Sequence, residues 1–286
     1  MLISRRPGLL QLVSHPDHGR LAGTLGGHWG NEQFATPVPI EALRTAATHH
    51  DDGWRELDDR PTFNAEAQRP AHFLELSLPD TVGPYGRGVD EVYARNPHAG
   101  ALVSMHWAGL YSTRWGLQAG DPVPHPAAAQ VVAEQERRWI AALREAWAHS
   151  GPRSEFEAHS WHAYEVLQAL DFISLALCLL DVGRAACVGE PVPMPVTLPH
   201  VDQPDAPRTV PSVPRGPGSS HVDVRLWVAE PQVVVLDPYP FDAPRFEVEV
   251  PLRELEDRSY ASAEEASRAY YGAEVDPRRM TIAAVG

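Results

Sequence analysis

The longest apolar helix pattern in the chain runs from about Ser154 to Leu180, and near its middle stands one carboxylate, Asp171, within Val166-Leu167-Gln168-Ala169-Leu170-Asp171-Phe172-Ile173-Ser174-Leu175. The stretch from Phe172 to Leu180 gives only nine residues between Asp171 and Asp181, against the roughly 20 needed to span a bilayer. The pattern therefore predicts a buried core helix. A lone carboxylate in such surroundings shifts its pKa or is paired, and a metal or a cluster of histidines would hold it ionised. Whatever fold encloses this helix has to bring a partner to Asp171.

The rest of the chain offers partners. Thr48-His49-His50-Asp51-Asp52-Gly53-Trp54 sets an imidazole beside a carboxylate, and both can reach one metal centre from a helix end. The helix is predicted over Ile40 to Thr48, with Ala42, Leu43, Ala46 and Ala47 as its apolar or small positions and Gly53 as the stop beyond it. A second helix, Asp17 to Trp29, carries His28, with Leu21 and Leu25 as an apolar stripe on a neighbouring face. A third, Ala99 to Arg114, holds His106 among Leu102, Val103, Met105 and Leu110, where an imidazole is costly unless satisfied.

Taken singly, each residue has an ordinary reading. His106 would bond a backbone carbonyl, and Asp171 would cap a turn or pair with an arginine. Together, on separate apolar helices that must pack against one another, they are more economically explained by one shared centre.

The order His, His-Asp, helical His and helical Asp resembles the HD-domain superfamily of helical metal-dependent enzymes. Ala46-Ala47-Thr48-His49-His50-Asp51-Asp52-Gly53 is similar to the alanine-rich helix running into His-Asp-x-Gly in many members. The resemblance implies that His28 is the first ligand, His50-Asp51 the paired motif and Asp171 the closing ligand, with His106 as an accessory ligand. The chain departs from the pattern at Trp54, where a Lys or His is frequent. His49 and Asp52 offer a register shifted by one residue, but Gly53 falls in place when His50-Asp51 is the pair.

Over nearly its whole length the chain also resembles an uncharacterised bacterial family, the domain of unknown function number 3891. That match rests on Ser14-His15-Pro16-Asp17-His18 followed by His28-Trp29-Gly30, on His50-Asp51-Asp52-Gly53-Trp54, and on Leu102-Val103-Ser104-Met105-His106. Gln168 to Leu175 and Asp237-Pro238-Tyr239-Pro240-Phe241 complete it. The family implies no activity, so function has to be argued from the site.

Imidazoles with carboxylates suit divalent iron, manganese or zinc, whereas an all-oxygen set suits magnesium or calcium. One or two such ions are expected, one held by His28, His50, Asp51 and Asp171, with Asp51 bridging to a second held in part by His106. Two ions about 3.5–4 Å apart clamp a phosphate or acidify a water, so hydrolysis of a phosphate ester or nucleotide is the leading expectation, with Asp51 and Arg114 as catalytic residues. All 24 cationic residues are arginines, which excludes Schiff-base and phosphate-loop lysine chemistry. Arg114, eight positions after His106 and near the same helix face, is the first phosphate-clamp candidate; the ordinary alternative is an exposed arginine.

Two alternatives remain. Some HD relatives hold two irons and activate oxygen with one further His, a place His72, 21 residues after Asp51, would fill; its Pro70-Ala71-His72 setting also reads as a helix start, and His98 competes. The other is a noncatalytic protein that binds a small ligand. His15 and His18 flank Pro16-Asp17 at a helix start, with His18 about 80° around the helix from His28 and bordering the same pocket. Tyr164 and Gln168, seven and three residues before Asp171, share its face, whereas His162 lies half a turn away and His159 three residues before that.

The chain has 286 residues and a formal charge of −14. That charge argues against nonspecific nucleic-acid binding and against adsorption to anionic membranes, and favours a small soluble substrate. Two cysteines, Cys178 and Cys187, support neither a disulfide framework nor a cysteine zinc site, which fits a reducing cytoplasm. Ser4 to Leu10 superficially resembles a twin-arginine export signal, but its apolar run ends at Val13.

Beyond the long helix, prolines from Pro191 to Pro217 mark an extended stretch to about Ser220. His221–Trp227, Gln232–Leu236 and Phe246–Val250 then read as strands of a small antiparallel sheet, to which Leu9–Val13 adds an N-terminal strand, and Ala263–Tyr271 as a final helix. Asp237 to Phe241 joins two of the strands as a packing turn or a lid. The expected fold is a mainly α, HD-like helical bundle over residues 1–183, a linker or covering loop over 184–220, and a small β-sheet appendage with a helix over 221–286.

Overall fold

The computed structural model describes residues 1–117, 128–148, 150–185, 190–195, 197, 201 and 203–285. The chain opens with an antiparallel hairpin, β1 (Leu2–Arg6) and β2 (Leu9–Val13). The turn between them holds Gly8 at φ 78°, a conformation glycine adopts without steric cost. Helices follow: α1 (His15–Gly27), α2 (Ile40–His49), a short α3 (Arg55–Asp59), α4 (Leu78–Arg95), α5 (Pro97–Leu110), α6 (Ala129–Trp147) and α7 (Arg153–Leu179). A two-residue ladder, β3 (Phe63–Asn64) with β4 (Arg69–Pro70), lies between α3 and α4. The remainder supplies β5 (Val192–Pro193), β6 (Arg208–Pro214), β7 (His221–Glu230), β8 (Val233–Asp237), β9 (Arg245–Glu256), α8 (Ala263–Gly272) and β10 (Val275–Ala284).

Eight strands join in one curled sheet in the order β1-β2-β9-β10-β8-β7-β6-β5. The β8–β10 and β5–β6 pairs are parallel and the others antiparallel. The architecture is α/β, a helical layer on a half-barrel sheet, and this corrects the expected mainly α bundle with a small antiparallel appendage. The expected linker over 184–220 in fact carries β5 and β6. Proline is tolerated in β6 because the ladder bulges between Val210 and Val213, where Pro211 needs no pairing N–H and Ser212 turns to φ 55°. β10 was hidden by its sequence, since Asp276-Pro277-Arg278-Arg279 has no apolar alternation. The expected N-terminal strand is present as β2, paired with β9.

α7 is sandwiched between the sheet and the other helices, contacting β6 and β1 on one side and α1, α2 and α5 on the other. Its apolar residues share one core with Val210, Val224, Leu226, Val234, Val250 and Ile282 of the sheet. Among the described residues it is the one helix long and apolar enough to cross a membrane, and that stretch is buried in protein. Its C-terminal carbonyls are satisfied from the sheet: Arg278 donates to Leu177, Cys178 and Leu180 at 3.1–3.3 Å, and Arg6 donates to Leu179 at 3.3 Å. Guanidinium groups here meet both the unpaired carbonyls and the negative end of the helix dipole. Cys178 is a buried free thiol pushed up to about 12 by that burial; Cys187 lies outside the described residues.

The contact between α1 and α2 decides where the candidate ligands meet. A Cβ at Gly19 would stand 2.8 Å from the Thr48 carbonyl oxygen, and one at Gly23 would stand 2.0 Å from Thr48 Oγ1 and 3.1 Å from its Cα. The two helices can therefore approach only because α1 has no side chains along this line, and Thr48 lies two residues before His50. Gly23→Ala is expected to destabilise the protein by about 1–3 kcal/mol through overpacking, although alanine is the better helix former. Urea unfolding checks this, and a variant as stable as the parent would mean that the α1–α2 spacing is not set by this contact.

Candidate metal centre

Four segments deliver side chains to one point beside Asp171. α1 contributes His18 from its buried face, α2 ends at His50 with Asp51 in the following turn, α5 contributes His106, and α7 contributes Asp171. None of these residues is more than 6% exposed. His18 Nε2 lies 3.2 Å from His50 Nε2 and 3.2 Å from Asp171 Oδ1, and His50 Nε2 lies 3.5 Å from the same carboxylate oxygen. Asp51 Oδ2 completes the group at 3.7 Å from His18 Nε2 and 3.6 Å from His50 Nε2. His18, His50 and Asp51 form one set of ligand atoms within 4.8 Å of one another, and His50, His106 and Asp171 form a second.

The outward-facing nitrogens fix the tautomers. His50 Nδ1 donates to the Ala47 carbonyl at 2.8 Å. Ser174 Oγ donates to the Leu170 carbonyl at 2.8 Å and so accepts from His18 Nδ1 at 3.0 Å. With both Nδ1 protons committed, the two neutral rings aim Nε2 lone pairs at each other across 3.2 Å. That arrangement is repulsive unless a cation, either a proton or a metal ion, stands between them. Imidazole ligands commonly have the other nitrogen anchored in this way.

Electrostatics agree. Burial opposes charge on His50, yet Asp51 and the bond to Asp171 outweigh it and raise its pKa to about 9. Burial would raise Asp171, but hydrogen bonds from His18 and His50 and the charge of Arg114 hold it well below the usual carboxylate range. Burial drives His106 well below its ordinary value, so that ring is neutral. The Gln168 amide lies 2.7 Å from His106 Nδ1 through Nε2, and Gln168 Oε1 is buried with no partner among the described residues. With the amide turned over, its Oε1 accepts from His106 Nδ1–H, which frees the His106 Nε2 lone pair.

The residues fit a divalent ion. The donor set is three imidazoles and two carboxylates, and Asp51 Oδ1 is a buried carboxylate oxygen with no hydrogen-bond partner among the described residues. Such a set suits iron, manganese or zinc.

Arg114 also reaches the centre, by a route the sequence did not reveal. The predicted helix over Ala99 to Arg114 stops at Leu110, so helical spacing from His106 is not what brings it in. Thr113, Arg114 and Trp115 instead take three successive positive φ angles, 48°, 49° and 56°. This left-handed turn drives the guanidinium inward, where NH2 donates to Asp171 Oδ2 at 3.2 Å and the group lies 4.1 Å from the centre of the Phe172 ring. An exposed arginine, the ordinary expectation, is ruled out by its 4% exposure.

Other sequence candidates are elsewhere. His28 forms the C-cap of α1, ten residues beyond His18 and so roughly 15 Å further along the axis; there it bonds Asp242 at 3.0 Å and stacks on Phe246. His18 stands where His28 was expected. His49 and Asp52 bond each other at 2.7 Å, which separates them from the His50-Asp51 pair. Gly53 is not a left-handed stop but a point of close approach, since a Cβ there would meet the Pro84 carbonyl at 2.0 Å. Trp54 stacks on His15 at 4.2 Å. His15 in turn bonds Asp58 at 2.9 Å, and the Met1 ammonium pairs with the same carboxylate. His72 caps a short 3-10 turn by accepting from Leu74 N–H and belongs to neither group of converging ligand atoms. Tyr164 is fully buried, and the Asp237–Phe241 turn packs on Trp29 and Gly30 rather than over the cluster. Ser174, which orients His18, was missed; its spacing of three residues after Asp171 was the available signal.

The sequence profile of the family described as protein of unknown function (DUF3891) matches residues 1–257. The chain belongs to this family. No curated protein and no solved structure matches it.

In the metal-free protein a proton between His18 and His50 would relieve the repulsion of their facing Nε2 atoms. A pKa raised in the folded state stabilises below the unfolded value of about 6.5, and that contribution is lost as pH rises through about 9. The metal-free protein is therefore expected to lose urea stability between these pH values, more steeply than a His50→Gln variant; identical slopes would disprove the shared proton.

Proposed function

We propose that this protein is a metal-dependent hydrolase acting on a small phosphate ester, with one or two divalent ions held by His18, His50, Asp51, His106 and Asp171. The observation that carries the reading is the convergence of two imidazole Nε2 atoms, each within 3.7 Å of the same two carboxylate oxygens, in the interior, beside an unpaired oxygen of Asp51. The order of His18, His50-Asp51 and Asp171 along the chain supports it further, because it is the ligand order of HD-superfamily metal sites. That likeness concerns the ligands and not the fold.

A divalent ion in this set supplies Lewis-acid polarisation of a phosphoryl group. Asp51 presents Oδ2 to the two imidazoles, and its free Oδ1 accepts a proton from the attacking water. As the water oxygen bonds to phosphorus and the ester P–O bond breaks, that proton passes to the departing oxygen. Arg114 holds Asp171 in place and brings positive charge to the phosphoryl oxygens, a duty that falls to arginine in a chain without lysine.

Elemental analysis of protein purified without chelator or affinity metal tests the reading first. Near-stoichiometric iron, manganese or zinc is expected in the parent and in His28→Ala, with loss in His18→Ala and in a His50→Ala, Asp51→Ala double variant. Ser174→Ala should keep the fold while weakening metal binding about 10–100-fold, the usual effect of removing an orienting partner. The metal-loaded parent should release phosphate from members of a broad phosphoester panel; metal that binds without any phosphate release would sink the hydrolase assignment.

A further inference from the structure

Arg114 NH1, Tyr164 Oη and Ser112 Oγ are buried polar atoms with no partner among the described residues, and Arg114 binds Asp171 of the candidate metal centre through its other nitrogen. Each belongs to a residue no more than 5% exposed. Buried donors left unpaired are uncommon and ask for a ligand or a water. The three belong to one neighbourhood. A Cβ on Gly109 would stand 2.3 Å from Tyr164 Oη and 3.1 Å from Trp115 Nε1, so the phenol and the indole border the same point, and Ser112 N–H donates to the Gly109 carbonyl at 3.0 Å. Arg114 lies between Ser112 and Trp115 in the left-handed turn. Three consecutive non-glycine residues at positive φ, one of them the β-branched Thr113, are a backbone state that persists where surrounding structure enforces it, often at ligand clamps.

Next to this turn a cavity of about 600 Å³ opens, lined among others by Ser112, Trp115, Ala129, Val132, Ala133 and Glu136. Its described wall is mainly apolar, with one aromatic face, one carboxylate and no cation.

We propose that Arg114, Tyr164 and Ser112 form an oxyanion subsite for a single phosphoryl group, and that the adjoining cavity takes an uncharged, apolar or aromatic alcohol portion of a phosphomonoester. The described wall of the cavity favours this class over nucleotide polyphosphates. Further phosphates would need cations, and Glu136 would repel them. Tyr164 Oη and Ser112 Oγ donate to phosphoryl oxygens, while Arg114 uses NH1 for the phosphoryl group and NH2 for Asp171, which ties recognition of the anion to the carboxylate at the centre.

Because the proposal rests on the hydrolase reading, metal content and anion binding are measured on the same samples. Inorganic phosphate is titrated calorimetrically into the manganese- or zinc-loaded parent and into Tyr164→Phe and Arg114→Lys. Tyr164→Phe removes one buried hydroxyl without changing shape, so it tests the subsite without threatening the fold. Phosphate binding about 10-fold weaker in Tyr164→Phe is expected, the effect of one lost hydrogen bond, with a larger loss in Arg114→Lys and metal content unchanged in Tyr164→Phe. Phenyl phosphate should be hydrolysed with a higher kcat/KM than ATP. Metal retained with phosphate binding unaltered by Tyr164→Phe, or a preference for ATP, would overturn the subsite and leave the metal centre standing. Absence of metal from the parent after reconstitution overturns the hydrolase reading itself.

Discussion

Burial of the Asp171 carboxylate is the constraint on which the rest of the structure depends. α7 has to lie in the middle of the molecule, because its apolar residues are shared between the sheet and the helical layer. A carboxylate carried inside with it cannot remain charged alone. The protein answers with His18, His50 and Arg114, from three different segments, each within 3.5 Å of one of its oxygens. The helical layer is thus organised around the requirement to surround one anion with cations or with metal-binding nitrogens.

That organisation needs close backbone approach. Glycines of α1 let Thr48 sit against the helix, which brings the end of α2 and His50 within reach of His18. Gly53 and Gly88 do the same where the turn after Asp51 meets α4. Anchoring bonds then set the ring orientations, donated from His18 Nδ1 to Ser174 Oγ and from His50 Nδ1 to the Ala47 carbonyl. At the far end of α7, Arg6 and Arg278 hold its terminal carbonyls, so the helix that carries Asp171 is tied to the sheet at one end and to the site near its middle.

The helices that carry the site were legible because burial writes a 3.6-residue period into them, and their predicted bounds for α1, α2 and α7 lie within two residues of the structure. The sheet was much less legible. β6 passes through a proline-rich stretch and keeps its place by bulging, and β10 has a charged first half, so neither displays the alternation by which strands are recognised. Reading only alternating segments and short apolar runs as strands gave a small appendage where there is an eight-stranded sheet. α4 and α6 were also passed over. Pro84 and three glycines interrupt the pattern of α4, while α6 buries few of its residues.

By itself, the sequence determined that a carboxylate would be buried in a long apolar helix, that His50-Asp51 would stand at a helix end, and that every permanently charged basic side chain would be arginine. These follow from local pattern and composition, which do not depend on how the elements meet. Only the tertiary structure decided that His18 and not His28 faces Asp171, since both lie on α1 and the choice turns on which end of that helix crosses α2 and α7. Only the tertiary structure brought Arg114 inward, because a left-handed turn of three non-glycine residues has no signature in the sequence and is held by its surroundings.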